Sequence, residues 1–468
     1  MDIEIRPRVL KGSVGAPFSK SDAHRVLIAA ALCKEPTEIT LSCESEDILA
    51  TVNCLEALGA RLVSLDSSGL HYCMEPISTR DGSSAPARDG NSMCTLNCNQ
   101  SGTTLRLLMP VVAALGITAR FTASGRLPER PLSELTAVLA ANGACFSETD
   151  PGSSLQLPLV LEGKLRPGTF RLPGNISSQY ISGLLYALPL LDDQSCIALT
   201  TQLESASYVE MTQSTLRDFC ITSTKTAKTG EGSYQEHDSH QEQGDHQEQH
   251  SHQEHDNYHV EGRQRFTSPE SVVVEGDWSN AAFFLAAGAL GEPVVVNGLL
   301  PTSLQGDKAI TELLRGFGAN VQTTDEGVLV SAEGLHARDI DVSEVPDLFP
   351  VLAVVASVAR GTTRLMNAAR LRMKESDRIS AVATMLGGLG ADVQELPDAL
   401  VVHGRPHLIG GTVSGASDHR IVMAAAVASI LCENPVTILG AEVVAKSYPR
   451  FFDDFNAMGG DAHVINHR

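Results

Sequence analysis

Cations are scarce in this chain: 35 lysines and arginines stand against 56 aspartates and glutamates in 468 residues, a formal charge of −21. A surface that acidic repels nucleic acid and anionic membranes, so neither is expected as a partner. Paired cysteines are missing as well. The ten cysteines, scattered from Cys33 to Cys432, show no CxxC or other metal-ligand spacing, so no metal is predicted and free thiols are expected. No apolar leader follows Met1, and the longest apolar runs, 349–359 and 421–432, fall short of the roughly 20 residues that span a bilayer. Together these absences predict a reducing, cytoplasmic setting. What remains is ordinary globular composition, 43% hydrophobic and 19% charged, with length for two or three domains.

A helix–small residue–strand pattern recurs through this length. It reads Leu55-Glu-Ala-Leu-Gly59-Ala, Leu139-Ala-Ala-Asn-Gly143-Ala, Leu314-Arg-Gly-Phe-Gly318-Ala and Leu386-Gly-Gly-Leu-Gly390-Ala, with degenerate copies ending at Cys220 and Gly459. The small residue suits a helix C′ position, where φ is usually positive. Neighbouring copies lie roughly 70–85 residues apart, except for a gap near 100 between Cys220 and Gly318. Six copies predict two domains of three units each, a pseudo-symmetric α/β architecture.

The long gap has a visible cause. Between 224 and 262 the composition turns to His, Gln, Glu, Asp, Ser and Gly and holds seven of the fifteen histidines. So few apolar residues cannot bury a core, and a disordered surface insertion is expected. Any affinity of such an insertion for transition metals is then adventitious; the alternative is that its histidines are there to bind metal.

Basic residues, rare overall, gather where helices are predicted to begin. Arg370-Leu-Arg-Met-Lys-Glu-Ser-Asp-Arg378 packs four cations and two carboxylates ahead of an amphipathic helix read from Ile379, Val382, Leu386 and Leu389. Ser376 or Asp377 is its expected N-cap. Lys20, Ser21 and Arg25 open the helix that includes 26–32, and Gln100-Ser-Gly-Thr-Thr-Leu-Arg106 opens another. Arg126 and Arg130 share a turn, Asn175-Ile-Ser-Ser-Gln179 precedes a helix from Tyr180, Asp418-His-Arg420 caps the helix over 421–431, and Lys446 precedes the last helix. A single cation at a helix start is ordinarily just exposed. Six such sites in an acidic chain imply one polyanionic substrate, or two anionic ones, held between the halves. Asp347 and Glu375, embedded among these cations, either balance charge or serve as acid and base.

At this level of detail the chain resembles the 5-enolpyruvylshikimate-3-phosphate (EPSP) synthase family. The motifs carrying the resemblance run in the family's order: Ser19-Lys-Ser21, Ser101-Gly-Thr-Thr-Leu-Arg106, Arg126 with Glu129-Arg-Pro131, Ser177-Ser-Gln179, Val274-Glu-Gly-Asp277, Gln305-Gly-Asp307, Pro346-Asp347, Arg372 to Arg378, Asp418-His-Arg420 and Ala445-Lys446. They cover nearly the whole chain outside the histidine-rich tract. The resemblance implies two domains of three βαβαββ units (the inside-out α/β barrel of enolpyruvyl transferases), divided as 1–18 plus 275–468 and 19–274. It implies transfer of the enolpyruvyl group of phosphoenolpyruvate to the 5-hydroxyl of shikimate 3-phosphate, without metal or organic cofactor, by a monomer.

Carried over by position, shikimate 3-phosphate would meet Lys20, Ser21, Arg25, Ser177, Ser178, Gln179, Ser205, Tyr208, Asp347, Arg370 and Lys374. Phosphoenolpyruvate would meet Lys20, Gly102, Arg126, Gln179, Arg378, Arg420 and Lys446. Asp347 would take the hydroxyl proton, Glu375 would exchange a proton with the methylene carbon, and Lys20 would join them as the third catalytic residue. Several positions depart from the family pattern: Phe18, Asp22-Ala-His24, Gln100, Leu107, Ala206-Ser207, and Arg370 where asparagine is usual. Two alternatives stand beside this reading. One is the related transferase acting on UDP-N-acetylglucosamine, whose reactive cysteine is missing from 125–131. The other is a non-catalytic scaffold or metal buffer using the histidine tract.

Overall fold

A computed structural model describes residues 1–42, 44–77, 93–148, 157–226 and 256–466. Twelve α-helices lie among them: α1 Lys20–Ala31, α2 Glu46–Ala57, α3 Gly102–Leu115, α4 Ser133–Ala141, α5 Ser178–Ala187, α6 Ala206–Asp218, α7 Trp278–Leu290, α8 Ile310–Phe317, α9 Phe349–Ala356, α10 Arg378–Gly388, α11 His419–Ala428 and α12 Phe451–Ala457. The strands form six four-stranded sheets. All six have one pattern, a parallel pair followed by two antiparallel neighbours. Cys94–Asn97, Ala119–Thr122, Leu159–Gly163 and Ala144–Glu148, in that spatial order, are an example.

The recurring small residue does what its position predicts. Gly59, Gly143, Gly318, Gly390 and Gly459 have φ between 90° and 107°, and Cys220 stands at 62°. Each ends a helix in the left-handed region and turns the chain into an edge strand, so the repeat seen in sequence is the repeat of the fold.

Helices fill the inside of each half. Helix α1 packs on α3, α3 on α5, and α7, α9 and α11 contact one another. Every residue of α9 and α11 is buried. A helix apolar on all sides must be enclosed by other elements, and the sheets enclose these. Apolar residues gather in two clusters. One runs from Ala23 to Val274; the other joins Ile3, Ile5 and Leu10 to residues from Trp278 onward.

The chain passes between these halves twice, side by side. Strand Gly12–Gly15 pairs with Val294–Asn297 before the chain enters α1, and Ser271–Val273 pairs with Thr37–Thr40 before it enters α7. The two crossings are tied together. Ser19 N donates to Glu275 O at 2.7 Å, Asp277 N to Pro17 O at 2.8 Å, and Phe18 bridges to Gly276.

The histidine-rich tract is narrower than its composition indicates. Thr224–Thr226 and Asn257–Val260 are antiparallel partners in the sheet of the third unit. Tyr258 and Val260, two of the tract's few apolar residues, are both buried there. Alternation of apolar and polar residues over four positions overrides a polar average. Residues 227–255, on which most of the disorder and metal-affinity expectation falls, lie outside the described residues. So do six of the seven histidines; the seventh, His259, contacts Thr226 Oγ1 at 3.2 Å.

Candidate active site

Interior helices that share a direction present their N-termini together. Those of α1, α3, α5 and α11 open onto one cleft between the halves, which Lys20, Gly102, Ser178 and Arg420 line. Each N-terminus offers unpaired amides and a partial positive charge. Hydroxyl caps fix several of them: Ser19 Oγ accepts from Asp22 N, and Ser101 Oγ from Thr104 N. Asp418 caps α11, accepting Arg420 N at 3.0 Å, and Asp377 caps α10, accepting Ser380 N at 3.2 Å.

Two carboxylates sit at the centre. Asp347 meets Arg378 Nη1 at 2.6 Å through Oδ1 and Arg420 Nη2 at 2.9 Å through Oδ2, with the Tyr208 hydroxyl at 3.3 Å. Glu375 meets Arg378 Nη2 at 2.9 Å, Arg130 Nη1 at 3.2 Å and Lys446 Nζ at 3.7 Å. Burial pushes both carboxyls up, but the surrounding cations outweigh it. Arg420, Arg378 and Lys374 hold Asp347 well below the usual range, and Arg130, Lys446 and Arg378 do the same to Glu375. Arg378, buried to 1% exposure, joins both to a third carboxylate, Asp418, at 2.8 Å. Arg378 is therefore a buried hub, while Arg372, 29% exposed, pairs with Asp377 and Glu395.

The other cations are held as firmly. Lys20 Nζ is 2.8 Å from Asp47 Oδ2. Lys374 is lowered to about 8, first by burial and then by Arg378 and Arg370, with Asp347 and Glu375 opposing. Arg25 spends Nε on Thr212 Oγ1, Nη1 on Ser21 O and Nη2 on Tyr208 O, so it faces the cleft as a fixed cation. Arg106 donates to Gln179 Oε1 and to Pro131 O, and Gln179 donates to Thr103 Oγ1. Burial and Arg130 bring Arg106 down to about 10. Several buried donors have no partner among the described residues: Nε and Nη1 of Arg420, Nε of Arg106 and Nε of Arg130. An unpaired buried donor is costly, and an anion entering the cleft would relieve it.

Most of the residues expected at the site line this one cleft: Lys20, Ser21, Arg25, Gly102, Ser177, Ser178, Gln179, Ser205, Tyr208, Asp347, Arg370, Lys374, Glu375, Arg378 and Arg420. Lys446 joins through Glu375. Arg126 is placed elsewhere. It is 42% exposed, lies 3.6 Å from Glu129 and borders a separate groove beside α10, while Arg130 reaches Glu375. The cleft also contains Asp47, Thr103, Arg106, Arg130 and His419. All but Asp47 stand inside motifs legible in sequence; Asp47, in the first turn of α2, carries no such mark. His419 is kept neutral by burial and by Lys20, Arg420 and Lys446.

Comparison with known proteins points to one family. A family model described as EPSP synthase (3-phosphoshikimate 1-carboxyvinyltransferase) matches residues 5–455. A protein of Clostridium kluyveri named 3-phosphoshikimate 1-carboxyvinyltransferase is 39% identical over 459 residues, covering 98% of this chain and 97% of that protein. One of the same name from Clostridium novyi is 38% identical, covering 98% of each. In fold, the structure of EPSP synthase from Acinetobacter baumannii superposes with a TM-score of 0.76 at 24% identity, over 99% of this chain and 100% of that one.

Proposed function

This chain belongs to the EPSP synthase family, which transfers the enolpyruvyl group of phosphoenolpyruvate to the 5-hydroxyl of shikimate 3-phosphate, and we propose that Asp347, Glu375 and Lys20 carry that chemistry here. The supporting observation is the shared guanidinium: Arg378 binds Asp347 and Glu375 at once, at 2.6 and 2.9 Å.

In the addition step Asp347 takes the proton of the 5-hydroxyl, the oxygen bonds to C2 of phosphoenolpyruvate, and C3 receives a proton from Glu375. In the elimination step Glu375 recovers a proton from C3, the C2–C3 double bond re-forms as the bond from C2 to the phosphate oxygen breaks, and the phosphate departs beside Lys20 with the proton that Asp347 had taken. A carboxylate clamped by several cations is a poor base and a poorer acid. The anionic substrates supply the correction. Phosphate and carboxylate groups draw Arg420, Arg130, Lys446 and Lys20 toward themselves, and Asp347 and Glu375 then gain proton affinity as the reacting atoms arrive. Electrostatic stabilisation of this kind resides in the preset cations.

Shikimate 3-phosphate is assigned to Ser21, Arg25, Ser177, Ser178, Gln179, Ser205, Tyr208, Arg370 and Lys374. Phosphoenolpyruvate is assigned to Gly102, Gln179, Arg378, Arg420 and Lys446, with Arg130 in the position first given to Arg126. The domain division is 1–18 plus 275–468 against 19–274, in line with the two apolar clusters. A cytoplasmic monomer completes the reading. Phosphate release from phosphoenolpyruvate tests the assignment. Release that needs both substrates, and that falls in Asp347→Asn and Glu375→Gln, is expected; undiminished release in both variants would overturn it.

A further inference from the structure

Four serines cap the helices α1, α2, α3 and α5 in the usual extended conformation, Ser19 (φ −64°, ψ 115°), Ser45 (−74°, 139°), Ser101 (−81°, 99°) and Ser177 (−158°, 118°). The first three turn Oγ back onto an amide of their own helix. Ser205, which precedes α6, differs. It stands at φ 56°, ψ 48°, in the left-handed region that a residue with a Cβ enters only at a cost. Its hydroxyl caps nothing.

The cap comes from the other side of the cleft. Glu344 Oε1 accepts Ser205 N at 2.9 Å and Oε2 accepts Ala206 N at 2.9 Å. A carboxylate bidentate on the first amides of a helix satisfies them and meets the positive end of the dipole. Ser205 Oγ thereby faces the cleft, where Arg370 Nη2 donates to it at 3.0 Å and it donates in turn, at a long 3.4 Å, to Ser343 O. Arg370 is fixed in turn by Glu204 Oε2 at 2.5 Å and by Ser343 O at 2.7 Å. Glu344, Ser343 and Arg370 lie in the half containing Trp278 onward, and Ser205 in the other.

We propose that Glu344 is a positioning residue for shikimate 3-phosphate: by capping α6 across the cleft it holds Ser205 in its left-handed conformation and presents the hydroxyl, beside Arg370, to the substrate's phosphate. This rests on the assignment of Ser205 to that phosphate. Recognition of the phosphate is thus tied to the approach of the two halves, because the donor pair exists only when Glu344 reaches α6. Without the carboxylate, Ser205 relaxes to the extended conformation of the other caps and its hydroxyl turns back to the helix.

The test is steady-state kinetics of Glu344→Ala, Glu344→Gln, Ser205→Ala and the Glu344→Ala/Ser205→Ala pair. Glu344→Ala is expected to raise KM for shikimate 3-phosphate about tenfold, with KM for phosphoenolpyruvate changed less than about twofold. Glu344→Gln, which keeps one acceptor, falls between. In the Ser205→Ala background the Glu344 effect shrinks to less than about twofold, as coupled residues require. A rise in both KM values together, or full additivity of the pair, would overturn the proposal. If Ser205→Ala weakens shikimate 3-phosphate and Glu344→Ala does not, the proposal fails and the assignment of Ser205 stands. If Ser205→Ala leaves that KM untouched, the assignment itself fails.

Discussion

Gly102 has no room for a side chain. A Cβ there would lie 2.5 Å from Arg106 Nη1 and 3.0 Å from Arg130 Nη1, the two guanidiniums that bridge Gln179 and Glu375. Gly102→Ala is therefore expected to displace both and to raise KM for phosphoenolpyruvate by about tenfold or more, with a smaller effect on shikimate 3-phosphate. Equal KM values in the variant and the parent would show that the guanidiniums yield freely. At this scale the sequence was most legible where motifs are contiguous: Ser101 to Arg106 and Arg370 to Arg378 could be read directly. It was least legible where one member comes alone from a distant element. Asp47 gains meaning only because α2 brings it 2.8 Å from Lys20, and Arg126 and Arg130 are told apart only by the turn that aims one inward.

In helix α1, half-buried Asp22 and buried His24 depart from their ordinary values in opposite directions. Burial and the nearby Glu275 raise Asp22 from its ordinary 3.8 to about 6, whereas burial lowers His24 from 6.5 to about 3. Asp22 keeps its proton longer folded than unfolded, so the molecule loses stability from this group as pH rises through that window. Asp22→Asn, which can still accept the Glu275 amide that Oδ2 takes at 3.2 Å, is expected to raise Tm above about pH 6, with the gain vanishing below about pH 4. A gain of equal size at all pH values would contradict this. His24 works the other way, contributing stability above about pH 6.5 that is lost as pH falls toward 3.

The strand pair Thr224–Thr226 and Asn257–Val260 gives a second prediction for an element. Excising 230–253 should leave Tm and kcat nearly unchanged, since shortening the connection between two paired strands alters closure entropy little. Excising 230–260 removes buried Tyr258 and Val260 with their strand, and a marked fall in Tm is expected. Equal behaviour of the two deletions would mean that the strand contributes nothing. Averaging composition over the tract concealed four residues, 257–260, that alternate with the pleat.

Across the whole molecule, the six sheets and enclosed helices follow from a repeat visible as Leu-Gly-Ala punctuation, and the fold was legible for that reason. The crossing of the chain between halves was not, because strand exchange at Gly12–Gly15 and Ser271–Val273 leaves no periodic trace. That exchange brings the N-termini of α1 and α7 together, Lys20 N donating to Asp277 Oδ2 at 3.0 Å. In the cleft, scarce cations are concentrated on two carboxylates, Asp347 and Glu375. The most direct test is the single-turnover rate of Glu375→Gln at saturating phosphoenolpyruvate and shikimate 3-phosphate, with both dissociation constants measured alongside. A fall of about a hundredfold or more in rate, with each dissociation constant within a few-fold of the parent, is the expected result. An unchanged rate, or a loss wholly explained by weaker binding, would contradict the role given to Glu375.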